Sequence, residues 1–169
     1  MNTRRLIKFI GFNILWLLTA KFALSSYLNI LTVIIVGLYI LELRKLDWKN
    51  RFLTWFVFVI GVGFDGFAQY LNWVQLSGPT FFVLPQWLIS LWILFIWVLP
   101  DLIYQFSSRR GLLVAISFVA GPLSYYAGEN FDVVKFFGIT SWAAYAVFWG
   151  GLMYASHVWI VGGNNGIKK

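Results

Sequence analysis

The feature that most constrains this chain is a series of long apolar runs, separated only by short clusters of charged or turn-forming residues. The fourth run, from Phe81 to Phe106, contains Asp101 as its single charged side chain. A helix needs about 20 mostly apolar residues to cross the roughly 30 Å hydrocarbon core of a bilayer. Runs of this length therefore predict transmembrane helices rather than the elements of a soluble domain.

The composition supports the same interpretation. Hydrophobic residues make up 60% of the 169 residues and charged residues 11%, whereas soluble domains contain about 25% charged residues. The absence of cysteine excludes a disulfide scaffold, a thiolate metal site and a catalytic thiol. We predict an all-α, polytopic bundle that forms a single transmembrane domain over residues 1–169. Its six spans are expected at about residues 6–24, 27–43, 52–73, 81–106, 111–127 and 136–161.

The basic residues predict the orientation of these spans, because cytoplasmic loops carry an excess of lysine and arginine. With both termini in the cytoplasm, eleven of the thirteen basic residues fall on that side, and only Lys21 and Lys135 lie near the outer surface. The net charge of +7 then reflects orientation and attraction to anionic lipid, and no nucleic-acid partner is expected. The eleven are Arg4, Arg5, Lys8, Arg44, Lys45, Lys49, Arg51, Arg109, Arg110, Lys168 and Lys169.

Asp65, deep in the third run, is the strongest candidate functional residue, because ionisable groups are costly inside a membrane. Gly61, Asp65 and Gln69 share one helical face, and the glycines around the acid leave room for a neighbouring helix. The carboxyl group must be neutral or paired there. It is either a structural acid bonded to the next helix or a group with ligand or proton chemistry. Its expected partners in the outer half of the bilayer are Gln69, Gln86, Tyr125 and Tyr126.

The fifth run combines a proline with a stripe of small residues. Pro122 removes one backbone donor and is expected to kink the helix. Gly121 and Gly128 lie on one face together with Ser117 and Ser124, which predicts close packing against another helix. Glu129 follows at the outer surface and completes a candidate polar site with Asp65.

Other chemistries lack their motifs. The chain has no phosphate-binding loop, no glycine-rich dinucleotide fingerprint and no nucleophile elbow. His157 is the single histidine, so a zinc site is not expected, and we interpret it as a hydrogen-bonded packing or interfacial residue. No cofactor is expected.

Four segments resemble the bacterial membrane-protein family named domain of unknown function 2878. The resemblance covers most of the chain and is most specific in the run Gly-Pro-x-x-Tyr-Tyr-Ala-Gly. It implies a small multi-pass protein of the bacterial inner membrane, and it brings no established activity and no catalytic residues. The four segments are Phe12–Trp16, Gly61–Gly66, Pro85–Phe95 and Gly121–Gly128.

Three functions remain compatible with these features. The first is a non-catalytic bundle that binds membrane lipids, a hydrophobic ligand or another membrane protein, because the short loops leave no room for a soluble catalytic domain. The second is a small membrane enzyme acting on lipids, with Asp65 and Glu129 as acid–base groups. The third is a solute-binding component of a transport system, since a bundle without internal repeats is poorly suited to alternating access alone.

Overall fold

A computed structural model describes residues 3–162 of the chain and consists mainly of helices. Two short antiparallel ladders lie in the connections between them, where β1 pairs with β4 and β2 pairs with β3. The helices are α1 (Thr3–Lys21), α2 (Tyr27–Leu43), α3 (Trp48–Tyr70), α4 (Gln86–Gln105), α5 (Arg110–Glu129) and α6 (Ile139–His157), which continues as a π-helical turn (Val158–Gly162). The strands are β1 (Val74–Leu76), β2 (Thr80–Phe81), β3 (Leu84–Pro85) and β4 (Val134–Phe136).

The predicted helical bundle is thus present, and four of its helices are long and apolar enough to cross a membrane. They are α3, α4, α5 and α6 with its π-helical turn. The two remaining helices differ from these four: α2 is apolar but has 17 residues, and α1 contains three basic residues near its start and Lys21 at its end. The four apolar helices indicate a membrane protein.

The starts of the third and fourth helices differ most from the prediction, for identifiable reasons. The third helix begins at Trp48 rather than near residue 52, because the side chain of Asp47 accepts a hydrogen bond from the backbone N–H of Asn50 at 2.9 Å and caps the first turn. The fourth helix begins at Gln86 rather than near residue 81, because the β2–β3 hairpin occupies the preceding residues. Within that hairpin, Phe82 has a positive φ of 67°, which no helix can include.

The fourth helix is the centre of the bundle. It packs against α1, α2 and α3, and α5 and α6 form a second, closely packed pair. Trp87, Trp92 and Leu99 of α4 join the buried core together with Tyr145 and Met153 of α6. The cluster of long apolar side chains on α4 therefore determines how its neighbours are placed.

The two ends of the bundle have different chemistry. At one end, which we call the basic end, α1 begins and α2 and α4 finish. There the buried Lys8 ammonium lies 2.6 Å from Asp101 and 3.1 Å from Glu42, and ties these three helices together. At the other end, which we call the strand end, the β1–β4 ladder joins the α3–α4 connection to the α5–α6 connection.

A buried carboxyl cluster beside an apolar cavity

Four helices meet at the carboxyl group of Asp65, which is completely buried. The indole Nε1 of Trp92 on α4 donates a hydrogen bond to Oδ2 at 2.7 Å. The hydroxyl of Tyr125 on α5 lies 2.9 Å from both carboxyl oxygens, and the hydroxyl of Tyr145 on α6 donates to Oδ1 at 2.8 Å. The acid on α3 is thus an acceptor shared by one side chain from each of three other helices. We call these four side chains the Asp65 cluster.

Two glycines make room for the rings around this acid. A Cβ atom at Gly61 of α3 would overlap the ring of Trp92, and a Cβ atom at Gly121 of α5 would overlap the side chain of Trp149. The two indole rings stack on each other with centroids 5.2 Å apart and planes 3° from parallel. The close helix contact predicted for Gly121 is therefore confirmed, and its partner is an indole ring of α6.

The third predicted packing glycine lies nearer the strand end. A Cβ atom at Gly128 would come 2.7 Å from Cγ2 of Val134 on β4. Pro122 lies buried within the continuous helix α5, so the chain continues helically through the proline.

Beside the Asp65 cluster lies a cavity of about 450 Å³ between α1, α4 and α5. Trp92 and Tyr125 belong to both: they line the cavity, and their polar atoms bond to Asp65. Most of the lining is apolar. The serines and the asparagine in it, Ser117, Ser124 and Asn13, donate their hydrogen bonds to carbonyl oxygens of their own helices.

Residues 5–155 match the model of a family described as a protein of unknown function (DUF2878). The chain belongs to this family. The match includes every residue of the Asp65 cluster and confirms the resemblance inferred from the four sequence segments. The chain matches no curated protein and no solved structure. Since the family description names no activity, the function of this member has to be argued from its geometry.

Of the four partners predicted for Asp65, the structure brings Tyr125 into contact with it. The prediction is wrong for Gln86, whose Nε2 donates instead to Asn29 at 3.0 Å and to Thr32 at 3.1 Å on α2. Gln86 and Trp92 are six residues apart, which places their side chains about 120° apart around the helix. Because Trp92 faces Asp65, the side chain of Gln86 points toward α2 and away from the acid.

The other two predicted partners also lie elsewhere. Tyr126 is exposed and its ring lies near Trp142. Adjacent residues point about 100° apart around a helix, so Tyr126 does not face Asp65 when Tyr125 does. Gln69 lies one turn beyond Asp65, and its buried Oε1 has no hydrogen-bond partner in the described part of the chain. The polar site expected in the outer half is thus divided among separate locations.

Glu129, the second predicted acid, is also separate from Asp65. Its Oε1 accepts the backbone N–H of Phe136 on β4 at 2.9 Å. His157 lies at the opposite end, where its Nε2 is 3.1 Å from the carbonyl oxygen of Ser107. Among residues 3–162, no group of three or more histidine, aspartate or glutamate side chains is placed to hold a metal ion.

Trp92 and Tyr145 are the members of the cluster that the sequence analysis missed. Tyr145 is completely buried and Trp92 nearly so. A signal for both existed, because a tryptophan N–H or tyrosine O–H that is buried usually has a hydrogen-bond partner. Few hydrogen-bond acceptors are present deep in an apolar bundle. Asp65 could therefore have been predicted as the acceptor for the tryptophan and tyrosine side chains at that depth.

Proposed function

We propose that this protein binds the acyl chain of a membrane lipid in the cavity between α1, α4 and α5, without catalysing a reaction. The observation that carries the proposal is the cavity itself. Its volume of about 450 Å³ lies in the range of ligand pockets, about 300–1,000 Å³. Its mostly apolar wall suits a hydrocarbon chain.

The surroundings of the cavity favour a ligand that enters from the bilayer. Ile116 and Leu123 of α5 line the cavity and are about half exposed, so the cavity wall that they form is not enclosed by other helices. We infer from this exposure that the cavity opens laterally between the helices. In a bilayer, such an opening faces lipid tails, so a lipid is the ligand with the shortest path.

The proposal includes six spans in the bacterial inner membrane, with the basic end toward the cytoplasm. A span can have as few as about 17 residues, which is the length of α2. Crossing by α1 is supported by Lys8, since its charge is compensated by Glu42 and Asp101 within the bundle. The orientation is supported by the excess of basic residues at that end.

The proposal is tested by filling the cavity. Ala120 of α5 lines it, and Ala115 lies on the same helix, exposed and outside the lining. We expect Ala120→Phe to lower the amount of lipid that co-purifies in mild detergent severalfold, because the new ring occupies the space of the acyl chain. The matched control, Ala115→Phe, should retain the wild-type amount. Mass spectrometry of extracted lipid measures both, and equal lipid content in the two folded variants would overturn the proposal.

The enzymatic alternative is less well supported. It requires Asp65 and Glu129 to act on one substrate, whereas the two acids do not line a common cavity among those described. Glu129 lines a polar recess at the strand end, and Asp65 lines neither that recess nor the apolar cavity. Asp65 is enclosed by the three side chains that donate to it.

A further inference from the structure

A second recess lies at the strand end, on the other side of Val134 from the apolar cavity. It has a volume of about 310 Å³, and five of the six side chains that line it are polar or charged. Val134 of β4 lines both spaces, so the two are neighbours with this side chain between them. The residues that line the recess are Gln75, Ser77, Glu129, Asp132, Val134 and Lys135.

The strand ladder builds this recess from two distant parts of the chain. Gln75 of β1 lies directly opposite Lys135 of β4 in the antiparallel register. Next to the ladder, the backbone N–H of Ser77 donates to the carbonyl oxygen of Val133 at 2.9 Å. The positions of the polar side chains around the recess are therefore held by main-chain hydrogen bonds.

Within residues 3–162, the charges in the recess have no opposite charges as partners. Within the described residues, Glu129, Asp132 and Lys135 take part in no ion pair. One carboxylate oxygen of Glu129 accepts the Phe136 N–H, which leaves the other oxygen without a hydrogen-bond partner in this part of the chain. Two acidic residues and one lysine thus line one recess beside the cavity proposed for the acyl chain, and the Lys135 ammonium lies 5.5 Å from the centroid of the Phe137 ring.

We propose that this recess is a headgroup subsite for a phospholipid with a primary amine headgroup, such as phosphatidylethanolamine. The inference rests on the proposed function, because the acyl chain of the same lipid would occupy the apolar cavity below Val134. Lys135 would pair with the phosphate, and Glu129 and Asp132 would accept hydrogen bonds from the ammonium group. A choline headgroup offers no N–H donors, and phosphatidylglycerol has no ammonium group to offset the repulsion between its phosphate and the two carboxylates.

The experiment compares lipids that share their chains and differ in their headgroups. Delipidated full-length protein is titrated in detergent with dioleoyl phosphatidylethanolamine, phosphatidylcholine, phosphatidylglycerol and diacylglycerol, and bound lipid is counted by native mass spectrometry. We expect the ethanolamine lipid to bind about fivefold more tightly than each of the others, which is the effect of one or two partly exposed charge pairs. The double variant Glu129→Gln, Asp132→Asn should lower its affinity to that of the choline lipid. The glutamine retains an oxygen that can accept the Phe136 N–H.

A matched pair of lysine variants separates the recess from general surface charge. Lys135→Gln should weaken all three phospholipids relative to diacylglycerol, whereas Lys21→Gln, an exposed lysine outside the lining of the recess, should not. Equal affinities for the ethanolamine lipid and diacylglycerol, or a preference for phosphatidylglycerol, would overturn the headgroup subsite. The proposed function would survive that result if Ala120→Phe still weakened the binding of every lipid. It would fail if Ala120→Phe left all four affinities unchanged.

Discussion

At the scale of single residues, Asp65 shows how a carboxyl group can be accommodated inside an apolar bundle. Placing an acid at the centre of a membrane helix costs about 2.5–3.5 kcal/mol on the insertion scale. Donors from Trp92, Tyr125 and Tyr145 compensate for this cost, because they replace the water that the carboxyl group has lost. The same bonds satisfy the polar ends of three buried aromatic residues. The acid therefore stabilises the rings as much as the rings stabilise the acid.

The first prediction follows from this mutual dependence. Asp65→Asn keeps an acceptor oxygen and should stay folded with nearly wild-type stability and lipid content. Asp65→Leu removes the acceptor from three buried donors and should lower the free energy of unfolding by about 1–3 kcal/mol for each donor left without one. Thermal unfolding in mild detergent, followed by circular dichroism, measures both. Tyr126→Phe is the control, because that exposed hydroxyl donates to no part of the cluster.

The two variants also decide whether the role of Asp65 is structural. If Asp65→Leu unfolds at the temperature of Asp65→Asn, the hydrogen bonds do not contribute to stability. If Asp65→Asn folds normally but loses lipid binding, the carboxyl group itself has a chemical role that an amide cannot replace.

The buried acid and one of its donors, Tyr125, could be predicted from the sequence because the cost of burying an unpaired acid is general. An acid in an apolar run must find partners, and this argument holds whatever the fold. The choice among Gln86, Tyr125 and Tyr126 depended on how each helix is rotated about its axis. The rotation of α4 goes with the packing of Trp92 against Gly61, and that of α5 with the packing of Trp149 against Gly121. No local pattern in any one of these helices specifies either contact.

At the scale of helices and strands, glycines opposite indole rings determine how closely helices approach. Trp92 and Trp149 stack between α4 and α6, and each occupies the space that a Cβ atom would need at Gly61 or Gly121. Without a hydrophobic driving force between helices in lipid, such van der Waals contacts carry much of the packing energy. The stripe of small residues on α5 is therefore an interface with a large flat partner.

The second prediction tests this interface. Gly121→Leu should reduce the yield of folded protein far more than Leu112→Ala, because the added side chain must displace Trp149, while Leu112 is about half exposed. Overpacking of this kind costs about 1–3 kcal/mol or more. Gly111→Leu provides the matched control on the same helix, since a Cβ atom at Gly111 meets nothing within 4 Å. Fluorescence-detected size-exclusion chromatography measures the folded yield, and equal yields for the two leucine variants would contradict the interface.

The sequence predicted the helices better than it predicted the connections. The apolar runs predicted the approximate positions of all six helices, because each run is longer than a typical helix of a soluble protein. The β1–β4 ladder joins residues about 60 positions apart, and neither three-residue strand is long enough to show an alternating pattern of its own. Such a pairing can be predicted only once the tertiary arrangement of α3 and α5 is known.

At the scale of the whole molecule, charge distinguishes the two ends of the bundle. The basic end contains the ion pairs of Lys8 with Glu42 and Asp101, and Arg5 lies 3.4 Å from the same aspartate. The strand end contains the uncompensated charges of the polar recess. If the basic end faces the cytoplasm, both the recess and the outer part of the apolar cavity face the opposite leaflet. The orientation of the bundle thus decides which leaflet supplies the lipid.

The third prediction is this topology, with six spans and a cytoplasmic basic end. Fusions of alkaline phosphatase at Ser77 and Asn130 should be active and fusions at Lys49 and Ser108 inactive, with fluorescent-protein fusions giving the opposite pattern. The expected activity at these four sites is the same whether α1 and α2 both cross the membrane or neither does. Two crossings return the chain to the side on which it began. A fusion at Ser25, between α1 and α2, distinguishes the cases. Activity there requires six spans, whereas inactivity would leave the four long apolar helices as the only crossings and overturn the six-span topology.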